Sequence, residues 1–109
     1  MSLVQKSFKE LVNMTEEVAC RFFAAKKMQL LAKEETIMEK DEDYSPYITY
    51  LKKIEQAYQS LSEKERNLIN NEFFFQNYRY WWVGFYSKAT FYRFKKQAML
   101  NFLEAVYHV

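Results

Sequence analysis

One glycine, one proline, one cysteine and one histidine are all that the 109 residues contain, and each scarcity removes a class of protein. A many-stranded sandwich, a barrel or an α/β domain with repeated loops needs turn residues at every chain reversal, which Gly84 and Pro46 alone cannot supply. A single glycine also excludes a glycine-rich phosphate loop. With Cys20 the only cysteine, no disulfide framework can close within the chain. With His108 the only histidine, a nucleophilic centre would reduce to a Cys20–His108 dyad, and a lone cysteine in a helical pattern is ordinarily a small core residue. No apolar run approaches eighteen residues, and residues 1–6 do not open a signal peptide. The composition therefore reads as a non-enzymatic, cytoplasmic chain with no catalytic residues, no cofactor, no metal and no membrane partner.

What is present is apolar and aromatic. Half the residues are hydrophobic, and 10 Phe, 9 Tyr and 2 Trp supply material for one compact core, which excludes intrinsic disorder. The length suits a single domain. The expectation is an all-α bundle of five or six helices with a C-terminal helix-turn-helix. Along the chain it divides into N-terminal helices with an acidic linker (1–44), a middle helix (45–60) and a helix-turn-helix region (61–109).

Over residues 3–31 the apolar residues Val4, Phe8, Leu11, Val18, Phe22 and Ala25 recur at three- and four-residue steps, the pattern of an amphipathic helix. Unbroken over 2–40 it would be roughly 58 Å long at about 1.5 Å per residue, more than a domain of this size is wide. Either it breaks at Asn13-Met14-Thr15, with Thr15 as N-cap ahead of Glu16 and Glu17, or its exposed length meets a second chain. Residues 34–43 hold six acids against Lys40 and end the periodicity. Ser45 and Pro46 restart a helix as N-cap and first helical residue, with Ile48, Leu51, Ile54, Tyr58 and Leu61 on its apolar face and an end near Ser60. Ser62 and Glu65 have capping-box spacing and open a further helix that turns Leu68, Ile69, Phe73 and Phe74 inward.

The last third carries the functional signal. Within residues 73–94, twelve of 22 residues are aromatic, and residues 73–103 contain no acid, so Arg79, Lys88, Arg93, Lys95 and Lys96 give that stretch +5. Residues 34–43 sum to −5, so a total of +2 conceals a basic end. Ser87 has the chemistry of an N-cap, and from it Phe91, Phe94, Ala98, Phe102, Ala105 and Val106 trace a buried face. Lys88, Ala89, Tyr92, Arg93 and Lys96 fall opposite. Upstream, residues 78–83 can form a short helix that Gly84 ends by taking a positive φ. A short helix, a glycine turn and a capped helix with a basic outer face describe a helix-turn-helix.

The run Ser87-Lys88-Ala89-Thr90-Phe91-Tyr92-Arg93-Phe94-Lys95-Lys96-Gln97-Ala98 resembles the recognition helix of sigma factor region 4 and of sigma-like phage transcriptional regulators of the ArpU and RinA type. Residues 61–69 are similar to the helix that precedes the motif there, and the likeness spans residues 61–103. Two residues, Phe85 and Tyr86, separate the glycine from the serine cap where the family has one. The resemblance implies a DNA-binding transcriptional regulator or sigma-like accessory protein. Lys88, Tyr92, Arg93 and Lys96 would then face the major groove of double-stranded DNA, with Arg79 and Lys95 on phosphates. The N-terminal helices would meet RNA polymerase or a second copy. The competing reading is a helical interaction module that anchors a protein partner through Trp81 and Trp82, of which one should be core and the other exposed or at an interface. RNA binding by aromatic stacking is a third.

Overall fold

The computed structural model describes residues 3–35, 46–75 and 79–107. Ser45, Tyr78 and His108, with the cap, helix start and dyad ascribed to them, lie outside these residues, as do residues 36–43 of the acidic stretch. The described residues form an all-helical structure without strands. Four α-helices, α1 (Phe8–Glu35), α2 (Pro46–Gln59), α3 (Glu63–Ile69) and α4 (Lys88–Tyr107), are accompanied by a 3-10 turn at Leu3–Gln5 ahead of α1 and a π turn at Asn70–Phe74 that continues α3. Two elements expected from the sequence account for the smaller number of α-helices: α1 does not break, and residues 79–85 do not become a helix.

The start of α1 is set by a capping box four residues long. The Ser7 backbone N–H donates to the Glu10 carboxylate at 2.8 Å, while the Glu10 backbone N–H donates to the Ser7 hydroxyl at 3.1 Å. The Ser7 backbone N–H, followed by its side chain, holds the Glu10 carboxyl below its ordinary range. Thr15 does not cap a second helix. It is fully buried, and its hydroxyl donates to the Leu11 carbonyl one turn back at 2.8 Å, so the side chain is satisfied inside a continuous helix. Leu11, Val18 and Ala25 are all buried on the same face, and a break between them would divide that face. The length is accommodated by an elongated molecule, 53 Å along its longest axis, in which about 42 Å of α1 fits. Beyond Ala25 none of the described α1 side chains is buried, and Met28, Leu30 and Leu31 are exposed.

Pro46 is the first residue of α2, whose buried residues are Leu51, Ile54 and Ala57; Ile48 and Tyr58 are half-buried. The Tyr50 hydroxyl reaches the Val18 carbonyl at 3.4 Å, and burial raises its pKa. Ser62 and Glu65 form both hydrogen bonds of the expected capping box. The chain then widens into the π turn, closed by the Phe75 N–H on the Asn70 carbonyl at 2.7 Å, which leaves Phe73 buried and Phe74 half-buried.

Helix α4 packs against α1, α2 and α3 at once. Ser87 caps it as expected, its hydroxyl accepting the Thr90 N–H at 3.2 Å. Phe91, Ala98, Phe102 and Val106 are buried, but so are Met99, Leu100 and Leu103, whereas Phe94 and Ala105 are only half-buried. The buried face is thus rotated by about 60° from the one read in the sequence, at about 100° per residue. Helices α1, α2 and α3 all pack on α4 and draw in a broader arc than one amphipathic stripe.

Candidate nucleic-acid interface

Residues 79–85 are a succession of turns, with the Val83 N–H on the Tyr80 carbonyl at 3.1 Å and the Phe85 and Tyr86 N–H groups both on the Trp82 carbonyl. The reason lies in the two tryptophans. Adjacent residues of a helix diverge by about 100°, yet here both indoles turn toward the bundle. Trp81 is buried and donates its Nε1–H to Glu72 at 2.7 Å; Trp82 stacks on Phe91 with ring centroids 4.4 Å apart and planes 7° from parallel. Trp81 is therefore core and Trp82 half-buried. Gly84 is not held at positive φ, and a Cβ built on it meets nothing within 4 Å. Gly84→Ala should accordingly stabilise the fold by about 0.4–1 kcal/mol in urea titrations, because only the unfolded chain loses freedom.

The side chain that organises this region is Glu72, supplied by the π turn. One carboxylate oxygen accepts from Trp81 and the other from the Lys95 ammonium at 2.6 Å. Lys95 is only 13% exposed, and its ammonium also lies 5.4 Å from the Phe73 ring centroid and 5.8 Å from that of Phe8. It is an internal cation, not the outward phosphate contact expected of it. Sequence signals existed for both partners: Glu72 follows Leu68 by four residues, and Lys95 follows Phe91 by four, so each ion sits at a core position of its helical pattern.

The remaining basic residues face water. Lys88, Tyr92, Arg93 and Lys96 are exposed along one side of the N-terminal half of α4, while Phe91 and Ala98 are buried on the other side. Among the described residues, Lys88, Arg93 and Lys96 have no ion-pair partner. Arg79 is exposed on the preceding turns, its guanidinium 5.7 Å over the Tyr80 ring. Beside these cations stand rings that the sequence reading passed over: Phe85, 77% exposed, and Tyr80, 59% exposed. A surface of this kind combines point charges for phosphates with open π faces. Cys20 is exposed, and among the described residues no cluster of three potential metal ligands occurs. No described helix is long and apolar enough to cross a membrane. The chain matches no family model, no curated protein and no solved structure.

Proposed function

We propose that this chain binds double-stranded DNA through the outward face of α4, as a transcriptional regulator of the sigma-like kind that residues 87–98 resemble. The observation that carries the reading is the division of one helix: Phe91, Ala98 and Phe102 are committed to the core, while Lys88, Arg93 and Lys96 remain outside and reach a groove without loss of packing. In a helix-turn-helix a first helix would stand where residues 79–85 make turns, so α4 docks here from a base formed by α1, α2 and α3.

With Lys95 neutralised internally and Arg93 assigned to base edges, three cations remain for phosphates in the acid-free stretch: Arg79, Lys88 and Lys96. Log affinity for duplex should then fall with log salt at a slope of about −2.7, about −0.9 per phosphate contact. Arg93→Ala should weaken binding to a preferred site by about 5- to 150-fold and relax its sequence preference, whereas removal of one phosphate contact should flatten the slope by about one. Fluorescence anisotropy with random duplex at two salt concentrations makes the test. Affinity no better than millimolar at low salt, unchanged by charge reversal at Arg93 and Lys96, would sink the reading.

A second reading, a helical interaction module, draws on the far end of α1. Met28, Leu30 and Leu31 are exposed there and offer a protein partner or a second copy an apolar helix surface.

A further inference from the structure

The exposed rings ahead of α4 are not isolated. Tyr80 contacts Trp82 with centroids 6.4 Å apart, and Trp82 contacts Tyr92 at 6.3 Å, both edge-on, while the Trp82 indole rests on Phe91. The outer members stay open, Tyr80 at 59% and Tyr92 at 42% exposure. Phe8 holds Tyr92 from the other side at 5.6 Å. The ladder is thus anchored on the core through its middle ring and open at both ends, with Arg79 over one end and Lys88 and Lys96 on the same side of α4 as Tyr92.

Groove recognition in a duplex gives such rings little to do. Base faces in a duplex are covered by their neighbours, and only edges are presented to a helix in the groove. Unpaired bases expose their faces, stack on aromatic rings irrespective of sequence, and leave their phosphates to nearby cations. We infer that Tyr80 and Tyr92 form a stacking subsite for unpaired bases adjoining the basic face of α4, so that the preferred ligand is DNA with a junction between duplex and single strand. The inference rests on the DNA-binding reading above and specifies its substrate. The two tyrosines grip bases; Arg79 and Lys88 hold the phosphates of the unpaired strand as it leaves the duplex.

The test compares three fluorescein-labelled probes by anisotropy with the full chain: a mixed-sequence duplex, the same duplex carrying an oligothymidine tail of about 15 nucleotides, and the tail alone. The tailed duplex should bind about ten-fold or more tightly than the blunt one, with quenching of tryptophan fluorescence. Tyr80→Ala should abolish that preference and leave blunt-duplex affinity within about two-fold, Tyr92→Ala should abolish the preference as well, and Tyr→Phe at either position should retain it, because the ring and not the hydroxyl stacks. Tyr80 is exposed enough for its truncation to leave the fold intact, which circular dichroism verifies. Equal affinity for tailed and blunt duplex, or a preference that survives Tyr80→Ala, overturns the subsite while the duplex reading stands. Failure of all three probes at low salt overturns both. Binding of the tail alone with none of the blunt duplex removes the groove reading and supports the stacking subsite.

Discussion

Truncating Phe91 to alanine is expected to remove about 3–5 kcal/mol of folding stability, and truncating Phe94 only about 1–2 kcal/mol. The two rings lie on one helix three residues apart, and the difference between them reports the rotation of α4. Phe91 is 1% exposed and carries Trp82 stacked on its face, with Trp81 at 5.9 Å and Tyr92 at 5.3 Å. Its loss leaves a cavity that two indoles and the turns holding them must collapse into, beyond the transfer free energy of the ring itself. Phe94 is half-buried, and Tyr86, centroid 5.7 Å away, is its aromatic neighbour. Urea titration of both variants, with near-ultraviolet circular dichroism to follow the tryptophans, checks the claim. Equal losses would mean that the face read from sequence, which includes Phe94, is the one that packs.

That contrast separates what the chain states locally from what only its neighbours decide. Pro46, the Ser62–Glu65 box and the Ser87 cap were legible because each rests on hydrogen bonds or backbone restriction within four residues. The phase of α4 was not, because Ala98-Met99-Leu100 and Phe102-Leu103 are apolar on several sides and periodicity cannot choose among them. Thr15 satisfied the chemistry of a cap yet found its acceptor in the Leu11 carbonyl, an alternative open to any threonine inside a helix. The basic face was legible as charge, but its membership was not. Lys95 and Lys96 are neighbours in sequence; Lys95 follows buried Phe91 by one helical turn, and its counter-ion Glu72, supplied by the π turn, is distant in sequence.

The second large effect belongs to that inward pair. Glu72→Leu is expected to destabilise the fold by about 3–5 kcal/mol, since it leaves the Lys95 ammonium at 13% exposure without a counter-charge and the Trp81 N–H without an acceptor. Combining Glu72→Gln with Lys95→Met should cost clearly less. Glutamine still accepts from Trp81, and the methionine lies against Phe8 and Phe73, which already flank the Lys95 ammonium. Thermal melts of the single and double variants measure the coupling between the two ions. The pair also bears on DNA binding, because a cation held by Glu72 releases no counterion from a phosphate. Lys95→Met should therefore leave the salt slope for duplex unchanged, whereas Lys96→Met should flatten it by about one unit. Flattening by Lys95→Met as well would mean that the ion pair opens on the nucleic acid and frees Trp81 with it. Glu72 would then be the side chain that trades an internal contact for an external one.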